Sequence, residues 1–236
     1  MRTESVRVST YDGDELDAHL VVPERGAGGR AGIVLLHEGL GLTDYTRAVT
    51  ARIADLGYVA MAPELFWRME RNVDLPHDEA GMMRALDFIL GFDPEMGVRD
   101  VEAALAYLRG RSEVDGAVGV MGFCFGGGLA YGAACELDPA CVVAYYGVGV
   151  ELLAERIDEV TRPALLHFGT EDAFITPDAL ARLQAAAGAN PNIEIEVYDG
   201  AGHAFDNPHA DADAGNAAER AWERTAAFLA ANLAAR

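Results

Sequence analysis

A chain of 236 residues is long enough to bury the core of one α/β domain, and we expect a single domain spanning 1–236. Its 38 acidic and 18 basic side chains give a formal net charge of −20, which argues against nucleic acid or an anionic membrane surface as a partner. We see no apolar run long enough to span a membrane and no signal peptide, and three cysteines, an odd number, favour a reducing cytoplasm over a disulfide framework.

Strand and helix patterns alternate along the whole chain, without repeats or long linkers, and this alternation is typical of an α/β fold. The polar segment 65–78 is irregular, and we expect it to form a loop near the mouth of a pocket. In chain order, the elements predicted before the middle of the chain are a strand at 33–37, a glycine-containing loop at 38–42, an amphipathic helix at 44–56, a strand at 58–63 and a helix at 98–108.

The most informative segment is G-F-C-F-G at 122–126, which lies between an apolar strand at 118–121 and a run of small residues that predicts a helix. A strand, a G-x-nucleophile-x-G turn and a helix make up the nucleophile elbow of α/β-hydrolases, here with Cys124 in the place of serine. The turn needs small residues two positions before and after the nucleophile, and Gly122 and Gly126 supply them. On the pentapeptide alone, a buried structural cysteine in a glycine-rich turn is an equally good interpretation.

The order of the downstream residues favours the catalytic interpretation. An apolar strand at 164–169 is followed at once by Asp172, and an alternating strand at 193–198 is followed by a glycine-rich turn that bears His203. Nucleophile, acid and histidine occur in this order along the chain in hydrolases of this fold. Both candidates lie past the carboxyl ends of predicted strands, where open α/β sheets bind ligands. A helix at 217–233 closes the chain.

Each candidate has a chemical role. His203 would accept the proton of the Cys124 thiol and later return one to the leaving group, while Asp172 would fix the tautomer of His203. Two backbone N–H groups should bind the oxyanion, one from Phe125 and one from the loop after the strand at 33–37, for which we select Gly39.

Other polar candidates have simpler explanations. His167 lies within an apolar strand and is expected to be structural, and His37 at a strand end is either structural or part of a pocket wall. We expect exposed positions for His77 and His209. No set of histidines and carboxylates has convincing metal spacing, so we predict no metal, and Cys135 and Cys141 are interpreted as inert small apolar residues.

The sequence resembles the dienelactone hydrolase family, the cysteine-dependent branch of the α/β-hydrolases, over nearly its whole length. This resemblance implies an α/β-hydrolase fold with a mostly parallel central sheet and helices on both faces, and it implies no cofactor. It further implies hydrolysis of an enol-lactone from the breakdown of catechol-derived aromatics, through an acyl-enzyme on Cys124, with Glu38 in contact with the resting thiol. The segments that carry the resemblance are H-E-G-L-G at 37–41, G-F-C-F-G-G at 122–127, Y-Y-G at 145–147, G-T-E-D at 169–172 and G-H-A-F at 202–205.

The resemblance also suggests which residues contact substrate, and here the chain departs from the family. Members bind the lactone carboxylate with two arginines, one of which corresponds to Asn207 in this chain, while Arg84 is the nearest candidate for the other. A neutral lactone or ester is therefore as plausible a substrate as an anionic one. The substrate-binding residues that we predict are Leu40, Tyr146, Arg84, Phe205 and Asn207.

Three functions remain open. We favour a cysteine hydrolase that acts on a lactone or activated ester, as a monomer or weak homodimer. The second is a carboxylesterase or thioesterase with the same triad that acts on neutral substrates. The third is a non-catalytic relative that binds a small molecule, in which Cys124 would react with alkylating reagents no faster than Cys135 or Cys141.

Overall fold

The computed structural model describes residues 1–24, 30–210 and 215–233. Eight strands form one sheet in the order β1-β2-β4-β3-β5-β6-β7-β8. The strands are β1 (Arg2–Ser9), β2 (Glu15–Val22), β3 (Gly32–Leu36), β4 (Val59–Pro63), β5 (Val118–Phe123), β6 (Val142–Tyr145), β7 (Ala164–Gly169) and β8 (Ile193–Tyr198).

The sheet is mostly parallel. β4, β3, β5, β6, β7 and β8 run in the same direction, whereas β2 pairs antiparallel with both β1 and β4. Every residue of β3, β5 and β7 is buried, as expected for strands whose two faces are both covered by other elements. β8, at the sheet edge, is instead only partly buried along most of its length.

Seven α-helices in the described ranges join or cover these strands, and side-chain caps define several of their first turns. Thr43, Asp78, Asp93 and Thr176 each accept a hydrogen bond from a backbone N–H two or three residues further on. The helices are α1 (Asp44–Asp55), α2 (Glu79–Gly91), α3 (Pro94–Arg109), α4 (Phe125–Glu136), α5 (Val150–Glu155), α6 (Pro177–Ala187) and α7 (Ala217–Asn232).

Two details of the predicted elements were wrong. α3 begins at Pro94, four residues before the predicted start, because Asp93 caps the helix and a proline at its first position fits the helical backbone. The segment 65–78 is irregular but not wholly polar, since Leu65, Phe66 and Trp67 are buried in the core. Phe66 stacks on Phe88 of α2, so this segment anchors that helix.

Parallel strands bring their carboxyl ends to one edge of the sheet. Leu36 of β3 is in register with Gly122 of β5, and Phe123 is in register with Tyr145 of β6. The loops after these strands, and those after β7 and β8, therefore lie at a common edge. Within the part of the chain that the structure describes, no helix is long and apolar enough to cross a membrane.

Candidate active site

Cys124 occupies the sharp turn between β5 and α4. Its φ of 52° and ψ of −116° are unusual for a residue with a side chain. The backbone around it is nevertheless well held, because its N–H donates to the Tyr145 carbonyl at 3.0 Å. Its own carbonyl accepts from Gly128 N at 3.0 Å and from Val148 N at 3.3 Å. The half-buried thiol thus sits at the N-terminus of α4, whose dipole favours negative charge.

The two glycines of the elbow are required by close backbone packing. A Cβ atom at Gly122 would lie 2.1 Å from the Gly126 carbonyl oxygen, and one at Gly126 would lie 2.3 Å from the carbonyl oxygen of Leu36. Neither contact could be relieved by a rotamer change, because the clashing atoms belong to the backbone. Small residues are therefore required at both positions, at Gly122 by the elbow itself and at Gly126 by the end of β3.

His203 and Asp172 come together although 31 positions separate them. His203 Nδ1 lies 2.8 Å from Asp172 Oδ2, and the other oxygen, Oδ1, accepts from the N–H of Phe174 at 2.8 Å. The aspartate side chain is fully buried. The second ring nitrogen of His203, Nε2, is also buried and has no hydrogen-bond partner among the residues that the structure describes.

The surroundings of His203 favour its protonated form. Burial by itself lowers the pKa of His203, but the hydrogen bond to Asp172 and the interaction with the neighbouring Cys124 side chain outweigh it and raise the pKa above the usual range. A raised pKa makes Nε2 of His203 a stronger proton acceptor, and the imidazolium that forms can later act as a proton donor.

The predicted oxyanion donors lie in the expected elements. Phe125 is the first residue of α4, where backbone N–H groups have no intrahelical acceptor. Gly39 lies in the loop after β3, the strand next to β5, and a Cβ on it would lie 2.8 Å from Cδ1 of Ile89 in α2. Their joint action on an oxyanion stays a prediction.

His37 holds this loop and is structural, which settles the alternative that the sequence left open. Its Nε2 accepts a hydrogen bond from Leu65 N at 3.0 Å, and its Nδ1 lies 2.7 Å from the Glu38 carbonyl oxygen. With Nε2 as acceptor, the proton of the neutral ring is assigned to Nδ1, which donates to Glu38. Burial lowers the pKa of His37 to about 4, so the ring is neutral at pH 7.

Glu38 is a buried carboxyl group whose hydrogen-bond partner is an amide. Asn207 Nδ2 lies 3.2 Å from each of its two carboxyl oxygens, and Asn207 Oδ1 accepts from the N–H of His209. The pKa of Glu38 is raised to about 7, mainly by burial. The Asn207 hydrogen bonds and the charge of His203 act to lower the pKa, whereas the charge of Asp206 acts to raise it. Glu38 thus lies close enough to His203 for their charges to interact.

Asp206 forms a second carboxylate centre that the sequence analysis missed. Tyr45 Oη donates to Asp206 Oδ2 at 2.7 Å, and the Tyr146 hydroxyl donates to Oδ1. Burial raises the pKa of Asp206, although both tyrosine hydrogen bonds oppose the shift. Tyr45 and Asp206 are 161 positions apart, so no local pattern could have revealed the pair. One local indication of this site was present in the sequence, namely an acidic residue directly after the H-A-F segment at 203–205.

Unusual backbone conformations concentrate here. In the described residues, four non-glycine residues have positive φ, and three of them, Cys124, Tyr146 and Ala204, lie in the loops that carry or adjoin the triad. Such conformations persist only where the surroundings enforce them, and they are frequent at functional sites.

The predicted substrate-binding residues differ in burial and in their partners. Leu40, Tyr146 and Phe205 are buried, and Phe205 packs in a cluster of tyrosine rings. Tyr146 lies with its ring centroid 4.9 Å from that of His203, and the exposed Phe174 lies on the histidine as well, at 4.7 Å. Contact of these residues with substrate stays a prediction.

The two candidates for an anion clamp are occupied by other partners. Arg84 is exposed and forms a 2.6 Å ion pair with Glu70, and Asn207 is committed to Glu38 and His209. The described residues contain no group of three or more histidine, cysteine or acidic side chains able to hold a metal.

The remaining polar candidates lie where the sequence analysis expected. His77 and His209 are exposed, and their rings stack at 5.0 Å. Cys135 and Cys141 are free thiols, and burial raises their pKa values to about 11 and about 12. Both therefore stay protonated at neutral pH, as inert apolar residues would.

A parallel sheet of this order with a strained nucleophile elbow after β5 defines the class, the α/β-hydrolases. Comparison with known proteins narrows it: the chain belongs to the Dienelactone hydrolase family, whose sequence profile matches residues 16–233.

Individual relatives agree with this assignment. A carboxymethylenebutenolidase from Pseudomonas sp. strain P51 is 38% identical over 206 residues, covering 87% of this chain and 85% of the relative. A second, from Pseudomonas putida, is 34% identical over 231 residues and covers 98% and 97%. Among crystal structures, a Klebsiella pneumoniae protein described as a candidate dienelactone hydrolase superposes with a TM-score of 0.82 at 23% identity, covering 98% of this chain and 99% of that one.

Proposed function

We propose that this protein hydrolyses a lactone or ester through a Cys124–His203–Asp172 triad and a covalent acyl-enzyme. Membership of the family supports hydrolysis of a small-molecule lactone or ester. The observation that supports the triad is the environment of His203. One ring nitrogen is bound to a buried carboxylate, and the other is buried next to Cys124 and has no hydrogen-bond partner among the described residues.

In the proposed first half-reaction, Nε2 of His203 accepts the thiol proton and the Cys124 sulfur attacks the carbonyl carbon. The carbonyl π electrons move to oxygen, where the N–H groups of Phe125 and Gly39 stabilise the charge. Collapse of this intermediate breaks the bond to the leaving oxygen, which takes the proton from His203. The product is a thioester on Cys124, and in a lactone the leaving alcohol stays attached to the acyl group.

In the second half-reaction, His203 accepts a proton from water as the water oxygen attacks the thioester. The tetrahedral intermediate expels the Cys124 thiolate, which takes the proton back from His203, and the acid product leaves. Asp172 keeps Nδ1 protonated throughout, so that Nε2 is always the nitrogen that exchanges protons. We further propose that Glu38 influences the charge of the resting thiol, since its carboxyl group is electrostatically linked to His203.

The substrate has two candidate classes. The relatives named carboxymethylenebutenolidase support a carboxylated lactone. A neutral ester, lactone or thioester is the second candidate, and a specific observation favours it: the Arg84 guanidinium is paired with Glu70 and the Asn207 amide with Glu38, so neither is free to bind a substrate carboxylate.

The three cysteines are all free thiols. A catalytic thiol retains activity only while it is reduced, so we propose the cytoplasm as the place of action.

Steady-state hydrolysis of a carboxylated enol-lactone, a neutral lactone and a p-nitrophenyl ester tests this proposal, each with wild type, Cys124→Ala and the matched control Cys135→Ala. We expect turnover that Cys124→Ala abolishes and Cys135→Ala preserves. Activity retained in Cys124→Ala would overturn the mechanism, and no turnover of any substrate by wild type would favour the non-catalytic binding protein. Preference for the neutral substrates would select the second candidate class.

A further inference from the structure

A cavity of about 780 Å³ runs along helix α4, outside the triad. Its walls come from the C-terminal end of α2, the start of α3, the length of α4, and α5. On α4 it extends from Phe125 to Glu136, which at 1.5 Å per residue corresponds to roughly 16 Å. Its volume lies in the range of ligand pockets, about 300–1,000 Å³.

One end of this cavity adjoins the elbow. Phe125 follows the nucleophile directly, and the N–H groups of Gly128 and Val148 both donate to the Cys124 carbonyl; all three residues line the cavity. Ile89, another lining residue, is the one whose side chain packs on Gly39. The cavity is therefore lined by one predicted oxyanion donor, Phe125, and is separated from the other, Gly39, by Ile89, although none of Cys124, His203 and Asp172 lines it.

The chemistry of the walls indicates an apolar occupant. The middle of the cavity is lined by side chains such as Phe92, Val98 and Leu129, together with Leu152 and Leu153 of α5. The Tyr131 hydroxyl is already bonded to the Gly147 carbonyl, and the Arg156 guanidinium is paired with Glu136 and Glu159. The walls thus offer apolar surface, and these polar groups are already committed to other partners.

Charge at the rim excludes a carboxylated chain. The acidic side chains Asp93, Glu95 and Glu136 lie on the cavity wall, whereas Arg156 is the cation present there and is neutralised by its own ion pairs. An anionic tail would be repelled, and an uncharged hydrocarbon tail would bury its surface at about 25 cal/mol per Å².

We propose that this cavity binds an uncharged apolar chain of the substrate, so that the enzyme acts on neutral esters or lactones that carry an alkyl or aryl tail. The inference rests on the proposed function, because it requires a scissile carbonyl at Cys124 with its tail directed along α4. The length of tail that fits is then set by the side chains along α4 and α5.

The test is the chain-length dependence of kcat/KM for p-nitrophenyl acetate, butyrate and octanoate. Cys135→Phe adds bulk to the wall near the C-terminal end of α4, and Leu152→Trp adds bulk at the exposed edge of the cavity. Leu86→Trp on the exposed face of α2 is the matched control, since Leu86 is exposed and does not line the cavity. We expect wild type to prefer octanoate, and the two lining variants to lose roughly tenfold or more on octanoate while acetate is unaffected. An identical chain-length profile in wild type and both lining variants would overturn the proposal.

A binding measurement separates this inference from the proposed function. The neutral fluorophore N-phenyl-1-naphthylamine should bind Cys124→Ala, which cannot turn over substrate, and should bind the double variant Cys124→Ala/Cys135→Phe more weakly. If no ester is hydrolysed but this difference is found, the proposed reaction fails and the cavity site stands. If esters are hydrolysed in a Cys124-dependent way but neither the fluorophore nor the octanoate profile responds to Cys135→Phe and Leu152→Trp, the cavity proposal fails and the reaction stands.

Discussion

Two histidines on adjoining parts of the sheet, His167 and His203, have opposite environments. His167 lies within β7, fully buried, with Nδ1 2.9 Å from the Tyr198 hydroxyl and Nε2 3.0 Å from the Thr225 hydroxyl. Burial lowers its pKa to about 3. His203 follows β8, and its Nδ1 lies on Asp172 while its Nε2 has no hydrogen-bond partner in the part of the chain that the structure describes. Its pKa is raised.

The comparison shows how the surroundings of two buried histidines favour opposite protonation states. Burial is common to both rings, so burial alone does not identify function. Both ring nitrogens of His167 form hydrogen bonds with neutral hydroxyl groups, so the ring stays uncharged and inert at neutral pH. His203 has a carboxylate on one side and a thiol on the other, and these stabilise the imidazolium that acid–base catalysis requires.

The largest expected effect comes from His203→Ala. Loss of the proton acceptor should lower kcat/KM by about 10⁴-fold or more, because the members of a triad act as a unit. Unfolding measured by circular dichroism should show that the fold persists. Near-wild-type turnover by this variant would break the comparison, since His203 would then be no more reactive than His167.

Asp172→Asn should have the next largest effect, a loss of about 10³–10⁴-fold in kcat/KM, because the amide no longer selects the tautomer in which Nε2 accepts the proton. The pH–rate profile provides a second readout. Its histidine limb should shift to lower pH than in wild type, as the carboxylate no longer raises the pKa of His203. An unchanged profile would show that the 2.8 Å contact has no catalytic consequence.

His167→Phe should affect stability and spare catalysis. The buried Tyr198 hydroxyl loses its bond to His167, and the Thr225 hydroxyl loses one of two hydrogen bonds while it keeps the one to Tyr145 at 2.7 Å. This should cost about 1–3 kcal/mol in the free energy of unfolding at pH 7. In wild type the unfolded chain binds more protons than the folded one between pH 3 and 6.5, so this histidine's contribution is lost as pH falls, by about 2 kcal/mol at pH 5.

Urea titrations at pH 5 and pH 7 check this expectation, and the phenylalanine substitution should reduce the pH dependence. The raised pKa of His203 has the opposite effect on the pH dependence of stability. Its contribution to the free energy of unfolding is present below pH 6.5 and is lost as pH rises through the folded-state pKa. A large loss of kcat in folded His167→Phe would contradict the structural role.

Glu38→Gln should have an effect on stability of similar size to that of His167→Phe, and this effect should depend on pH. The folded-state pKa of Glu38 is raised to about 7 by burial, so the folded protein binds more protons than the unfolded chain between pH 4.5 and 7 and loses stability as pH rises. Glutamine does not titrate there. The stability gained by Glu38→Gln over wild type should therefore grow across this range, reach about 1–3 kcal/mol and level off above pH 7. A constant difference at all pH values would show that Glu38 is not forced into its neutral form.

Local patterns revealed the elements and the main candidates. The elbow could be predicted because its G-x-nucleophile-x-G spacing is a local pattern, although the backbone that requires Gly126 belongs to the end of β3. Strand and helix periodicity then indicated where Asp172 and His203 fall relative to strand ends, and the order of the three residues along the chain completed the hypothesis.

What escaped prediction depends on contacts between distant parts of the chain. The Tyr45–Asp206 hydrogen bond and the commitment of Asn207 to Glu38 join segments more than 150 positions apart. Arg84 was selected as a candidate anion ligand from its position in the sequence. Its ion pair with Glu70 could not be predicted from the sequence. The cavity along α4 arises from four helices together and has no signature in any one of them.

The central claim is that Cys124 forms the acyl-enzyme with His203 as its proton partner. The most direct test is mass spectrometry of the protein quenched in acid during turnover of p-nitrophenyl acetate, followed by peptide mapping, with Asp172→Asn used to slow deacylation. The account predicts one acetyl group per chain, on Cys124, and none in Cys124→Ala. Acetyl groups confined to Cys135 or Cys141, or turnover that continues in Cys124→Ala, would contradict it.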